Sequence, residues 1–324
     1  MNPKTAVVTG ANGFLGVNLC QRLKRDHWKV IALVRADSDI AYLEELEVEM
    51  IFGSVTDLGA LRNVFPKKAD AVFHLAGITS QFYKAFKLQT EVNITGTKNM
   101  LEVCLENDIG RFIHVSSIMA FGLHDNIIDE KTISNANAIG NNYAFSKWHG
   151  ENLVLESSKN GLDAVVVNPS HIIGPHDKVS FIQLFDAIEK NSLPGVPPGS
   201  GMFCHVFDVC ESLLAAFEKG ISGEKYLVGG FHLSFKEVSH EIQKQLGRTK
   251  KIGIIPKWIF QMILPFYTLQ SWITGKEPLL TKGKIMISCE DIECDDSKAV
   301  QAFKMQYRPL AEMVRDTLKW RSGG

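Results

Sequence analysis

Apolar residues in this chain fall into two alternating textures. Ala6-Val7-Val8, Lys29-Val30-Ile31-Ala32-Leu33-Val34, Asp70-Ala71-Val72-Phe73-His74-Leu75, Arg111-Phe112-Ile113-His114-Val115-Ser116 and Ala164-Val165-Val166-Val167-Asn168 are short, nearly unbroken apolar runs. Continuous runs are expected of strands buried on both faces, where a half-exposed strand would alternate. Between them the spacing becomes helical: Phe14, Leu15, Leu19 and Leu23 share one face, and longer helical patterns cover 85–106 and 143–158. This alternation predicts an α/β fold with a doubly wound parallel sheet covered on both sides. Beyond Pro169 the pattern loosens, and Pro194, Pro197, Pro198 and Gly199 mark a loop. The chain is expected to divide there, into 1–169 and a smaller region, 170–324, that returns one or two elements to the main sheet.

The most apolar late stretch runs from Trp258 to Ile273. It is shorter than the ~20 residues that span a bilayer, and it contains Gln261, Pro265, Gln270 and Ser271. A pair of amphipathic helices broken at Pro265 is expected. Their apolar faces would form a lid over an apolar substrate, the favoured reading, or a surface in peripheral contact with a membrane.

The first strand ends directly in Thr9-Gly10-Ala11-Asn12-Gly13-Phe14-Leu15-Gly16. Glycines at three-residue spacing between a buried strand and a helix suit a dinucleotide pyrophosphate. The turn needs residues without Cβ, the backbone must come close to phosphate oxygens, and the helix start offers free N–H groups and partial positive charge. The spacing is Gly-x-x-Gly-x-x-Gly, not the G-x-G-x-x-G form, so its weight comes from the flanking strand and helix. The expected architecture is therefore a Rossmann domain followed by a substrate-binding region.

Length and composition narrow the picture little. With 324 residues, 45% hydrophobic and 22% charged, the chain can bury a large core. A formal net charge of −1 gives no electrostatic case for nucleic acid. Six scattered cysteines without a C-x-x-C pair suggest reduced thiols and a cytoplasmic protein. The first strand begins within about five residues of the start, so no secretory leader is expected. No metal site is expected, since no His, Asp or Glu cluster has ligand spacing.

Tyr143 and Lys147, four apart in a helical stretch, would share one face. A phenol of pKa near ~10 is a poor acid or base at neutral pH, and a neighbouring ammonium is expected to lower it. Ser117, at a strand end, can hold a substrate oxygen. Together they suit hydride transfer at a carbonyl or alcohol. Of the histidines, His74 reads as core and His171, just past Pro169, as a candidate substrate contact.

These pieces together resemble the extended short-chain dehydrogenase/reductases. The matches are the Thr9–Gly16 turn, His74-Leu75-Ala76-Gly77, Asn93-Ile94-Thr95-Gly96-Thr97, Val115-Ser116-Ser117, Tyr143-x-x-x-Lys147, Asn168-Pro169 and Tyr307-Arg308-Pro309-Leu310. The resemblance implies that Ser117, Tyr143 and Lys147 are catalytic, with Tyr143 and Lys147 also touching cofactor. It implies cofactor contacts from Gly10, Asn12, Gly13, Phe14, Leu15, Gly16, Leu75, Ala76, Gly77 and Pro169, and a structural or ribose-side role for Asn93. The strand end Leu33-Val34-Arg35, the apolar 258–272 segment and the closing motif look most like the dihydroflavonol 4-reductase and 3β-hydroxysteroid dehydrogenase branch. A homodimer joined through the helices of 85–106 and 143–158 is implied as well.

Arg35, at the end of the second strand, can clamp an adenosine 2′-phosphate where a carboxylate would repel it, so NADP is expected over NAD, although Asp37 stands close by. Ser54, followed by Val55, stands where the family usually has an acidic adenine contact. The expected function is an NADP-dependent oxidoreductase acting on a small, hydrophobic carbonyl or alcohol. One alternative is a nucleotide-sugar epimerase or dehydratase. Those enzymes place an arginine just before the strand equivalent to Phe203–Val209, where this chain has Gly199-Ser200-Gly201-Met202; Lys178 is the substitute weighed. The other alternative, a non-catalytic NADP sensor, would be expected to have lost the tyrosine or the lysine.

Overall fold

A computed structural model describes residues 3–323; positions 1–2 and 324, at the outer ends of the two expected regions, lie outside them. Its strands are β1 (Thr5–Thr9), β2 (Lys29–Val34), β3 (Glu49–Phe52), β4 (Ala71–His74), β5 (Arg111–Val115), β6 (Ala164–Pro169), β7 (His171–Ile173), β8 (Ser200–His205), β9 (Lys225–Val228), β10 (Phe231–Ser234) and β11 (Asp291–Ile292). Its helices are α1 (Phe14–Arg25), α2 (Ala41–Glu45), α3 (Leu58–Val64), α4 (Phe86–Thr90), α5 (Thr97–Glu106), α6 (Asn142–Lys159), α7 (Ile182–Glu189), α8 (Val206–Lys219), α9 (Phe235–Gln245), α10 (Lys257–Thr274), α11 (Lys282–Ser288), α12 (Ser297–Phe303) and α13 (Leu310–Arg321).

Seven strands form one parallel sheet in the order β3-β2-β1-β4-β5-β6-β9. Strand pleating sends Ala6 and Val8 to one face and Val7 to the other, and both faces are covered, hence the unbroken apolar runs. α1, α8 and α12 cover the first face; α3, α5 and α6 cover the second. The order reverses beside β1, so a crevice opens at the carboxyl ends of β1 and β4. After Pro169 the chain returns β9 to this sheet. It also builds a smaller sheet around β8, which pairs with β10 on one edge and with β11 and β7 on the other. That sheet packs Phe203 against Phe185, Phe235 and Met313.

Three local expectations are corrected. The helix expected over 85–106 is interrupted by a π-helical turn at Glu91–Gly96 between α4 and α5. Gly96 sits against Val55, whose Cγ2 would lie 2.7 Å from any Cβ placed there. The strand equivalent expected over Phe203–Val209 ends at His205, whose Nδ1 accepts from the Phe207 amide (3.0 Å) and starts α8. α10 runs unbroken through Pro265. Both Gln261 and Pro265 are exposed, so water can satisfy the Gln261 carbonyl that proline leaves without a donor.

Candidate active site

The glycine turn is held by backbone crowding. Gly10 adopts φ +67°, a left-handed conformation, and a Cβ there would meet the Ala76 nitrogen at 2.8 Å. A Cβ on Gly16 would lie 2.1 Å from the Gly10 carbonyl oxygen. The Gly13 amide donates to that same oxygen (3.0 Å). α1 then starts with no side-chain cap and no acidic residue in its first turn. Its free amides and partial positive charge face the crevice. A cradle that excludes side chains and offers uncapped amides fits a pyrophosphate. Thr9 ties the two adjoining strand ends: its hydroxyl bonds His74 Nδ1 (2.8 Å) and accepts from the Ala76 amide (3.0 Å). His74 is fully buried, as expected of a core residue, and burial pushes its pKa down to about 3, with the Lys147 charge adding to the shift.

Ser117 and Tyr143 reach the same cavity from different elements. Ser117 follows β5, and its Oγ accepts from the Met119 amide (3.2 Å), starting a short 3₁₀ turn at Ile118–Phe121. Its O–H remains available to donate. Asn141 caps α6 by accepting from the Ala144 amide (3.0 Å), which fixes Tyr143 in the first turn. Burial pushes the phenol of Tyr143 up, and the Ser117 hydroxyl pulls it partly back. The expected lowering of the phenol is thus corrected: the Lys147 ammonium instead donates to the Val115 carbonyl (2.6 Å). Burial lowers Lys147 to about 8, against the raising influence of Glu151.

The π-helical turn supplies the scaffold beneath this pair. Asn93 Oδ1 accepts from the Ile78 amide (2.8 Å), and its Nδ2 donates to Ser146 Oγ (2.9 Å) and the Ile78 carbonyl (3.1 Å). Asn93 thereby pins the Gly77–Ile78 loop to α6. Sequence reasoning missed Glu151. Its carboxylate, 3% exposed, accepts from Ser116 Oγ (2.7 Å) and Asn168 Nδ2 (2.6 Å) and pairs with Lys225 Nζ at 3.4 Å. Asn168 also donates to the Ser117 carbonyl (3.1 Å). The signal was available: Glu151 follows Lys147 by one helical turn, on the face α6 buries.

One cavity of about 560 Å³ gathers the expected catalytic residues, His171 and the expected cofactor contacts, while Asn93 stands outside its lining. Gly10, Asn12, Gly13, Phe14, Leu15 and Gly16 line it together with Leu75, Ala76 and Gly77. Arg35, Ser54 and Val55 line one extreme; Ser117, Tyr143, Lys147, Pro169 and His171 line the other. Arg35 is exposed and bonds Asp37 Oδ1 (3.1 Å), a weak surface pair that leaves the guanidinium free to turn. The Ser54 hydroxyl is shared with Thr56 Oγ1 (2.8 Å). His171 packs among Phe181, Phe203 and Phe235, and burial lowers its pKa to about 4, so it is neutral at pH 7. Phe181, Met202, Ile287 and Ile292, from the late chain, complete the wall beside Tyr143. No residue of α10 lines this cavity, so the favoured reading of 258–273 as its lid is not met. Lys178 does not line it either and pairs with Asp39 at 3.1 Å.

Comparison with known proteins agrees with this architecture. The profile of the NAD dependent epimerase/dehydratase family matches residues 6–229. The chain is 30% identical over 263 residues to sterol demethylase protein B of Methylococcus capsulatus, covering 80% of each. It is 30% identical over 260 residues to 4-hydroxy-2-methyl-3-oxo-4-farnesyl-3,4-dihydroquinoline-1-oxide ketoreductase of Stigmatella aurantiaca, covering 77% of this chain and 75% of that one. Similarity extends to the dihydroflavonol 4-reductase and 3β-hydroxysteroid dehydrogenase branch that the motifs resemble. The crystal structure of gox2253 superposes with a TM-score of 0.85 at 27% identity, covering 100% of this chain and 99% of that one.

Proposed function

The chain belongs to the NAD dependent epimerase/dehydratase family, and from that premise we propose that it is an NADP(H)-dependent oxidoreductase acting on a carbonyl or alcohol of a small hydrophobic molecule. The carrying observation is that Ser117, Tyr143 and Lys147 share one cavity with the glycine turn. The nicotinamide group, when bound, supplies or accepts the hydride. Gly10, Gly13, Gly16 and the α1 amides would hold its pyrophosphate, and Arg35 the adenosine 2′-phosphate. Tyr143 donates its phenolic proton to the substrate oxygen during reduction and recovers it during oxidation. Ser117 donates a hydrogen bond to the same oxygen. Lys147, charged below about pH 8 and tied to the Val115 carbonyl, would hold the cofactor ribose. Tyr143 and Ser117 thereby act directly on the reacting oxygen.

The substrate class is argued from the wall. Ile118, Met119, Ile172, Phe181, Met202, Ile287 and Ile292 surround the reacting end. The cationic side chains of the lining are Arg35, at the far end, and Lys147. Nothing in that wall would neutralise the diphosphate of a nucleotide sugar, which favours the reductase over the epimerase or dehydratase reading. Relatives named for sterol and farnesyl compounds support this reading, while relatives named dTDP-D-glucose 4,6-dehydratase fit the alternative. The test is a screen for NADPH oxidation across apolar ketones and UDP-, GDP- and dTDP-sugars. Oxidation by ketones alone supports the reading. Conversion of a sugar nucleotide without net redox change overturns it.

A further inference from the structure

We propose that α10 is a docking surface for an anionic lipid surface, on which the protein sits without spanning it. This goes beyond the reading of the active site and does not depend on it. Trp258, Met262, Phe266, Leu269, Trp272 and Ile273 recur at spacings that place them on one arc of the helix, and all are exposed; Phe266 is 74% and Trp272 72% exposed. Isolated apolar side chains at a surface need no explanation, but a stripe running the full length of a helix does. The opposite face holds the helix to the protein. Leu264, Thr268 and Ser271 border a cavity of about 450 Å³ against Phe82, Phe86 and Leu280. Ser271 is buried, and its hydroxyl donates to the Lys276 carbonyl (2.9 Å). The stripe is therefore pointed outward by the fold.

Charge selects the occupant. No charged residue lies between Lys257 and Lys276. Residues 250–284 contain six lysines and one acidic side chain, Glu277, in a chain of net charge −1, and of these lysines Lys257 is paired with Glu290. The Glu277 carboxylate is already engaged by Ser80 Oγ (2.7 Å) and Lys284 (3.3 Å). Lys276 and Lys282 have no acidic partner among the described residues and flank the C-terminal end of the helix. An apolar arc with tryptophan near both ends and a basic fringe is the pattern of a helix lying in the plane of an anionic interface. A second copy of the chain fits less well, because a two-fold contact through this face would bring the lysine fringes together. No helix among the described residues is long and apolar enough to cross a membrane, so the contact is peripheral.

The full chain is sedimented with vesicles of phosphatidylcholine alone and of phosphatidylcholine with phosphatidylglycerol. Sedimentation with the anionic vesicles is expected, weakened by added salt. Phe266→Gln with Trp272→Gln should lower the partition coefficient about tenfold or more. Lys276→Glu with Lys282→Glu should remove the preference for anionic vesicles. An unchanged circular dichroism spectrum and melting temperature show that each variant is folded. Three results each overturn the proposal: no sedimentation with either vesicle, partition unchanged by the aromatic pair, or a wild-type dimer that ignores vesicles and dissociates in that variant.

Discussion

The two ends of the active-site cavity are made of different materials. At the glycine end much of the wall is backbone: Gly10, Gly13, Gly16, the α1 amides and the Leu75–Gly77 loop after β4. At the reacting end they are side chains drawn from elements far apart in sequence, from Ile118 to Ile292. A backbone site demands one residue type at fixed spacing and tolerates no substitute. A side-chain site demands only volume and polarity, which many sequences supply. The first end is therefore generic, and the second is where this chain is free to differ from others of its fold.

Substitutions at the two ends should fail in different ways. Tyr143→Phe should lower kcat by about 10²–10⁴-fold while leaving NADPH affinity within a few-fold, because it removes a proton donor and little volume. Stopped-flow turnover and fluorescence titration measure the two, and normal turnover would move the proton-transfer role to another group. Gly16→Ala should do the reverse. Its methyl would meet the Gly10 carbonyl, and the cost of overpacking, about 1–3 kcal/mol, should appear both as lost stability and as cofactor affinity weakened by roughly 10- to 100-fold. Unaltered binding in that variant would mean that the turn does not carry the pyrophosphate.

A smaller, selective effect is expected at Arg35. Arg35→Ala should weaken NADPH by about tenfold and leave NADH unchanged, since the guanidinium would contact only the 2′-phosphate. Equal loss for both nucleotides would contradict the NADP assignment. The smallest effect is on the pH profile. Lys147, lowered by burial to about 8, is charged below that pH and neutral above it, while burial keeps the Tyr143 phenol protonated at neutral pH. The rate of carbonyl reduction should be flat below about pH 8 and fall above it as the Lys147 ammonium is lost from the cavity. In Lys147→Met that descending limb should disappear along with most of the rate. A limb that persists belongs to another group.

How legible each part was follows from the same contrast. The Thr9–Gly16 turn, the five early strands and the Tyr143–Lys147 spacing could be read because each is local: a few consecutive residues or one helical turn carry the signal. Glu151 was missed although it stands one turn beyond Lys147, because a lone glutamate on a helix usually marks a solvated face. Only the convergence of Ser116, Asn168 and Lys225 upon it shows otherwise. The π-helical turn was invisible because nothing in Glu91–Gly96 forbids an ordinary helix; the contact of Gly96 with Val55 is a tertiary fact. Pro265 misled in the opposite direction, since a helix breaker was read without knowing that its face is wet.

Hydrophobic periodicity by itself determined the doubly wound sheet, and glycine spacing determined the tight turn between β1 and α1, because backbone geometry permits few residues at such positions. Tertiary structure alone decided that Lys147 turns to the Val115 carbonyl, that His171 is boxed by aromatic rings and neutral, and that α10 faces outward instead of closing the cavity. Those outcomes depend on burial and on partners distant in sequence, and neither local spacing nor composition encodes which groups lose water together.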